Sequence, residues 1–152
     1  MLYEFEIGNR EKRRLKNLIP EIYRDELLRD ELFGIATFDR KTDVDNLVGI
    51  TLVRVKSDFQ EIVWVALTDN YSIPEYGADL IRCRVEAAQE VGALLGTFSD
   101  IPESEIEMQK YYRLAGFDIM KFEDDNSYVR AVKLRDERKA HYLLRKLTPL
   151  KA

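Results

Sequence analysis

The sequence predicts an α/β fold with a mixed, largely antiparallel sheet and helices on both faces. Three observations predict it. Three β-rich runs in the first half of the chain are separated by short polar segments, which is typical of an antiparallel meander. A strand, a helix and another strand then follow in succession, which implies a right-handed parallel crossover. A last pair of β-rich runs flanks Asp124-Asp125-Asn126 and predicts a hairpin.

The first half of the chain supplies a short strand, two helical pieces and the meander. LYEFEI at 2–7 alternates apolar and polar side chains and predicts the strand. Asn9 is a candidate cap for the first helical piece, Pro20 breaks it, and a second piece runs to about residue 29. The meander strands are LFGIATF, LVGITLVRV and EIVWVAL, at 32–38, 47–55 and 61–67.

The second half supplies the crossover and the hairpin. A helix from about Pro74 to Val91 has one apolar face, because its apolar residues recur at helical spacing, and Gly92 stands where a stop is expected. ALLGTF at 93–98 predicts a buried strand. A further helix extends over about 102–114, and the runs at 118–123 and 127–134 form the hairpin.

Composition excludes several classes of protein. A chain of 152 residues predicts one domain with a substantial core. Its net charge of -4 argues against a nucleic-acid partner, and no apolar run approaches the roughly 20 residues of a membrane span. The lone Cys83 excludes an internal disulfide and fits a cytoplasmic location. A single cysteine and a single histidine argue against a metal site within one chain.

The last residues differ in charge from the rest of the chain. Residues 1–134 form the predicted domain with a net charge of -8, and residues 135–152 a basic helical tail with a net charge of +4. The tail carries a helical apolar stripe of Ala140, Leu143, Leu144 and Leu147. This stripe would pack against the domain or against a second subunit, so a homodimer is one expected assembly.

The turn before the central helix has two interpretations. Ser72-Ile73-Pro74-Glu75 fits the S-x-x-E capping box, and Ile-Pro-Glu recurs at 19–21 and 101–103, each time at a predicted helix start. In the first interpretation the turn caps only its own helix. Alternatively, a helix N-terminus after a strand offers amides and a positive dipole end to phosphates. Pro74 has no N–H to contribute, and Glu75 adds a negative charge there.

The order of these elements resembles the GNAT (Gcn5-related N-acetyltransferase) superfamily. Its members place a strand, a phosphate-binding turn, a helix, a strand and then a helix ending in Tyr-x-x-x-Gly-Phe. That last motif is present from Tyr112 to Phe117. The family turn has the pattern Arg/Gln-x-x-Gly-x-Gly/Ala, and its positions fall on Ser72, Glu75 and Gly77. Of these three residues, only Gly77 matches the pattern. An Asn that is common in the family is replaced by Glu105 in this sequence.

The resemblance implies an N-acetyltransferase that moves an acetyl group from acetyl-CoA to a primary amine of a small molecule or peptide by direct attack. The family polarises the thioester carbonyl with a backbone N–H, which matches Leu67. The resemblance also implies cofactor contacts from the turn and the helix start: Ser72, Glu75, Tyr76, Gly77 and Ala78.

Two side chains match family positions that move protons. Tyr112 matches the acid that protonates the departing thiolate, since a phenol with a reference pKa near 10 can hydrogen-bond to a thiolate. Glu61 matches a base used by some members. The alternatives are a packing tyrosine at a helix end and an exposed carboxylate at a strand end. A GNAT-like binding or regulatory module without catalysis is therefore the second functional hypothesis, and a partner bound through the basic tail is the third.

Overall fold

A computed structural model describes residues 2–6, 19–28, 32–38, 47–56, 58–68, 71, 74–90 and 95–150. The predicted cap Asn9, the polar segment between the first two meander strands and Ser72 lie outside these residues. Within the described residues, no helix combines the length and the apolarity that crossing a membrane takes.

The described residues build one eight-stranded sheet in the order β1-β2-β3-β4-β5-β7-β6-β8. The strands are β1 (Tyr3–Glu6), β2 (Phe33–Phe38), β3 (Leu47–Val55), β4 (Phe59–Leu67), β5 (Gly96–Pro102), β6 (Asp118–Phe122), β7 (Tyr128–Leu134) and β8 (Leu147–Pro149). The described α-helices are α1 (Glu21–Leu28), α2 (Pro74–Glu90) and α3 (Ile106–Leu114).

The strand pairing confirms the predicted α/β fold and its mixed sheet. β2, β3 and β4 form an antiparallel meander, and β6 and β7 form the last hairpin. β4 pairs with β5 in parallel across the connection through α2. The other neighbouring strands of the sheet are antiparallel.

Both faces of the sheet are covered. On one face α2 and α3 pack over the middle strands and form the largest apolar cluster, which includes Ile62, Leu80 and Tyr112. On the other face the segment around Ile19 and α1 covers the β2–β3 half of the sheet. The C-terminal segment covers the β5–β7 half, where Ala140 and Leu143 pack with Phe98 and Val132.

The C-terminal segment has a different local structure from the predicted helix. Residues 137–140 form turns, His141–Leu144 a 3₁₀ helix and Leu147–Pro149 the strand β8, which pairs with β6. Ala140 and Leu143 are buried, as the apolar stripe requires. Lys146, at a φ of 61°, turns the chain out of the 3₁₀ helix. The open edge of β6 then offers backbone hydrogen bonds that a continued helix could not use.

One helix start also differs from the sequence pattern. Helices do begin at Glu21 and Pro74, next to two of the Ile-Pro-Glu triplets. At the third triplet β5 continues through Pro102, because Ile101 and Pro102 pair with Val129 and Tyr128. The helix α3 begins only at Ile106. Pairing with β7 therefore outweighs the local helix signal at this position.

Candidate active site

The central feature of the site is the divergence of β4 from β5. Their parallel pairing extends from Phe59 to Glu61 on β4 and ends at Phe98 on β5, although both strands continue beyond these positions. The register between β3 and β4 shifts at the same level, because Leu52 pairs with Trp64 while Val53 pairs with Ile62. The extra residue, Val63, is a β-bulge, and a bulge bends its strand. The bend coincides with the point where β5 separates from β4.

Backbone amides of β4 point into this divergence. The Thr68 amide donates to the Val48 carbonyl at 2.9 Å, so Thr68 belongs to a hydrogen-bonded pair of the antiparallel ladder with β3. Such pairs alternate with non-hydrogen-bonded ones. Leu67, opposite Gly49, and Val65, opposite Thr51, are therefore of the second kind. Their N–H groups point away from β3, to the side on which β5 has separated.

Tyr112 lies at the base of the divergence and is 1% exposed. Its ring packs edge-on against Phe117, with the ring centroids 5.1 Å apart. Ser99, the first β5 residue beyond the paired register, lies beside this side chain. Burial raises the pKa of Tyr112 well above its ordinary value, and the polar Ser99 side chain lowers it by less. Tyr112 is therefore a neutral phenol at physiological pH.

Ser99 also joins the two strands. Its hydroxyl donates to the Ile62 carbonyl of β4 at 2.6 Å. This buried hydrogen bond links β5 to β4 just beyond the end of their parallel pairing.

The N-terminal turn of α2 follows β4 and supplies further amides. In a helix that begins at Pro74, the amides of Glu75 and Tyr76 have no intrahelical acceptor, and Pro74 has no N–H. The Glu75 side chain is exposed, and Tyr76 packs edge-on against Tyr71 with ring centroids 4.9 Å apart. The turn thus offers two described donors beside one carboxylate.

Gly77 and Ala78, the next two predicted site residues, face the protein interior. A Cβ at Gly77 would lie 2.8 Å from Cγ of the Tyr111 ring, so the absence of a side chain allows α2 to approach α3. Ala78 is 1% exposed and belongs to the apolar cluster under α2. Helix packing therefore accounts for the glycine that matches the family turn.

Glu61 lies on the opposite face of the sheet from Ile62, at the last paired position of β4 and β5. Its carboxylate is half-buried and forms an ion pair with Arg54, with Nη1 and Oε2 3.5 Å apart. A general base at this position would therefore be paired with the Arg54 cation before the reaction begins.

The structure thus places Glu61 and Leu67 on β4, which diverges from β5, and Tyr112 on α3 at the base of this divergence. Glu75 and Tyr76 lie in the turn that follows β4. Sequence reasoning missed Ser99 and Val65. A serine inside an apolar β-rich run was a signal for Ser99, because a buried hydroxyl needs a partner. The strand alternation could have indicated Val65 together with Leu67, but only with the β3 register known.

No protein-family model matches the sequence, and no curated protein matches it significantly. Solved structures do match its fold. A Bacillus subtilis acetyltransferase in complex with CoA has a TM-score of 0.63 and 18% identity, over 88% of this chain and 97% of that one. Spermidine N-acetyltransferase from Vibrio cholerae, in complex with CoA and spermine, has a TM-score of 0.66 and 12% identity, over 88% and 95%. NAA60 of Arabidopsis thaliana, in complex with acetyl-CoA, has a TM-score of 0.66 and 10% identity, over 89% and 99%.

At sequence identities of 10% to 18%, the similarity to these structures shows a shared fold. It agrees with the order of elements and with the motif from Tyr112 to Phe117, which come from the sequence alone. The divergence of β4 from β5 and the helix that starts after β4 are the structural counterparts of that resemblance. The chain therefore has the GNAT fold.

Proposed function

We propose that this chain binds acetyl-CoA and transfers its acetyl group to a primary amine. The observation that carries the proposal is the pair of β4 amides, Val65 and Leu67, that point into the divergence from β5, with the buried Tyr112 at its base. Two solved structures of the same fold support the class of reaction: a spermidine N-acetyltransferase with CoA and spermine, and NAA60 with acetyl-CoA.

The donor set fits the oxygens of acetyl-CoA. Backbone N–H groups of Val65 and Leu67 suit thioester and amide carbonyls in an extended chain, as in the addition of a strand. Those of Glu75 and Tyr76 suit a phosphate oxygen at a helix N-terminus. The Glu75 carboxylate opposes that phosphate, but it is exposed and free to turn into water. The fit to acetyl-CoA therefore depends on backbone donors, and the negative charge of Glu75 weakens the binding of the phosphate.

Acetyl-CoA would supply the acetyl group as a thioester, and attack by the amine would release CoA as a thiol. Val65 is the better carbonyl donor of the two amides. It lies about 10 Å along β4 from Ile62, which shares the apolar cluster of Tyr112, against about 16 Å for Leu67. A donor fixed at that oxygen stabilises the charge that develops there. Leu67 would then hold the next carbonyl along the pantetheine arm.

Tyr112 would give its phenol proton to the departing sulfur. A phenol kept neutral by burial has its proton available at any physiological pH. Glu61 would accept the proton of the attacking amine, directly or through water, after its ion pair with Arg54 loosens.

A second candidate is a GNAT-fold module that binds a ligand without transfer. Two observations favour it. The Tyr112 side chain is almost completely buried, and the helix start lacks one amide because of Pro74. In this case Tyr112 and Ser99 would serve only the packing of α3 on the sheet.

Isothermal titration calorimetry with acetyl-CoA separates these candidates, followed by mass spectrometry of an amine panel that contains polyamines and peptides with free N-termini. Saturable binding and an acetylated amine that depends on Tyr112 support the transferase. Binding without acetylation of any amine in the panel, in wild type and in Tyr112→Phe alike, favours the second candidate. Absence of heat and of a thermal shift at millimolar acetyl-CoA would defeat the transferase.

A further inference from the structure

A cavity lies at the rim of the sheet, where β7 extends beyond β6. Its volume is about 550 Å³, and it is lined by residues of α3, β6, β7 and the C-terminal segment. Leu134, which lines it, pairs with Gly96 at the start of β5, whereas the divergence from β4 begins beyond Phe98. The cavity therefore lies towards the opposite end of the sheet, and the proposed acetyl-CoA site does not include it.

The main chain of Leu134 faces this cavity with one hydrogen-bond donor and one acceptor. The Arg135 amide donates to the Leu95 carbonyl at 2.8 Å, so every second residue of β7, counted back from position 135, bonds to β5. Leu134 falls between these residues, and its N–H and C=O point to the β6 side. The ladder of β6 and β7 ends at the pair of Asp118 and Val132, and no described residue pairs with Leu134 on that side. This edge of β7 therefore offers an N–H and a C=O to a ligand.

Two cations line the cavity on the face of the sheet that α3 covers. Lys133 Nζ donates to the Ala115 carbonyl at 3.3 Å, and Arg113 Nη2 donates to the Leu150 carbonyl at 3.4 Å. Both side chains are half-buried, and neither forms an ion pair with a carboxylate of the described residues. An ammonium has three hydrogens and a guanidinium five, so both cations have hydrogens left for an anionic group.

Two carboxylates line the cavity on the opposite face. Asp118 pairs with Val132, so its side chain points to the same face as Val132, which packs with Ala140 of the C-terminal segment. Glu137 lies in the turns that lead to Ala140. Both acidic residues are exposed. The charged residues of the lining thus balance, with the positive charges on one face of the sheet and the negative charges on the other.

We propose that this cavity binds an apolar α-amino acid in its zwitterionic form. The carboxylate of the ligand accepts from the Leu134 N–H and lies towards Lys133 and Arg113. Its ammonium donates to the Leu134 C=O and lies towards Asp118 and Glu137. A zwitterion carries both charges on one carbon atom, so it complements a site whose opposite charges flank a single residue of the strand edge. The site is independent of acetyl transfer.

The remaining lining and the size of the cavity define the class of ligand. Met120 and Leu144 are half-buried side chains of the lining, and an apolar side chain of the ligand would cover them. The volume falls within the range of about 300–1,000 Å³ that is usual for small-molecule sites. A simple anion such as phosphate fits less well, because it cannot donate to the Leu134 C=O and its charge is repelled by Asp118 and Glu137.

Titration of the full chain with L-leucine, followed through the backbone amide signals by NMR, tests the site. We expect saturable shifts centred on the Leu134 amide, with a Kd of about 1 mM for a ligand of this size. Leucine amide lacks the carboxylate and N-acetylleucine lacks the ammonium, so each should bind at least about 5-fold more weakly than leucine. An unshifted Leu134 signal at about 20 mM leucine, or analogues that bind as well as leucine, would overturn the proposal.

Two variants test the charges of the cavity one at a time. Lys133→Met removes a cation and Glu137→Gln removes a carboxylate, and each should weaken leucine binding by about 3- to 10-fold. Lys110→Met, at an exposed position of α3 outside the cavity, is the matched control and should bind leucine as wild type does. Glu137→Gln and the leucine analogues decide the question if Lys133→Met does not fold. Wild-type affinity in Glu137→Gln, together with equal binding of N-acetylleucine and leucine, would show that the ammonium has no site.

The position of the shifts separates this site from the proposed active site. Leucine-induced shifts at Val65 and Leu67 with none at Leu134 would mean that leucine enters the divergence of β4 from β5, which would overturn the proposal. A chain that does not bind acetyl-CoA would defeat the proposed function, while shifts at Leu134 would still establish the amino-acid site.

Discussion

Gly77 on α2 lies against the ring of Tyr111 on α3, so close that a Cβ at position 77 would be 2.8 Å from two ring carbons. Alanine is normally better than glycine inside a helix by about 1 kcal/mol. Here we expect Gly77→Ala to destabilise the protein by about 1–3 kcal/mol, because the ring must move. Urea unfolding measures the change.

A double-mutant cycle tests the cause. Tyr111→Leu should make Gly77→Ala much less harmful, since a smaller side chain leaves room for the methyl group. If the cost of Gly77→Ala is the same in both backgrounds, the ring contact is not what requires glycine. A loss of acetyl-CoA binding with unchanged stability would instead point to the turn itself.

Tyr112→Phe should reduce acetyl transfer by about 10²- to 10⁴-fold, the usual contribution of a general acid. Stability should change by only about 1 kcal/mol, because Ser99 keeps its bond to Ile62. Initial rates and calorimetry measure both quantities. Tyr128→Phe is the matched control, since Tyr128 is 45% exposed, and it should leave both unchanged. Wild-type turnover in Tyr112→Phe would contradict the acid role.

Alkaline unfolding should depend on Tyr112. Burial raises its pKa in the folded state, so above about pH 10 the unfolded chain releases a proton that the folded chain keeps. The stabilising contribution is therefore complete below pH 10 and is lost as the pH rises towards the folded-state value. Urea unfolding between pH 8 and about pH 11 should show a smaller decline for Tyr112→Phe than for wild type. Equal declines would mean that Tyr112 titrates normally.

Glu75→Gln should tighten acetyl-CoA binding about 2- to 5-fold at low salt, because it removes an exposed carboxylate from the first turn of α2. The effect should shrink as ionic strength rises. Glu86→Gln, an exposed position on the same helix but far from its N-terminus, should change little. Weaker binding in Glu75→Gln would show that this side chain helps to hold the ligand.

Arg130 fastens the C-terminal segment to the sheet. Its guanidinium contacts both Asp100 oxygens, at 2.7 and 3.0 Å, donates to the Leu143 carbonyl and lies 4.3 Å from the centroid of the Phe98 ring. Lysine cannot reproduce this fork, so Arg130→Lys should cost about 1 kcal/mol after allowance for partial exposure. Hydrogen exchange should quicken first in residues 140–150. Arg138→Lys, at an exposed position, is the control.

Much of the fold could be predicted because the relevant signals are local. The meander, the crossover and the last hairpin follow from β-rich runs and the turns between them. The C-terminal segment was harder, since Ala140 and Leu143 show the same apolar spacing whether they lie on an α-helix or flank a 3₁₀ turn. Its strand β8 depends on the open edge of β6, which no local pattern contains.

The candidate site, too, could be predicted from the sequence only in part. The sequence by itself determined a GNAT-like order of elements and placed Tyr112 before Gly116-Phe117 at the end of a helix. Only the tertiary structure decided which amides of β4 face the divergence, because that depends on the register with β3 and on the bulge at Val63. It also decided that Gly77 accommodates Tyr111 and that the Ser99 hydroxyl donates to the Ile62 carbonyl. These are contacts between residues far apart in the chain, and they form only when the sheet and its helices pack together.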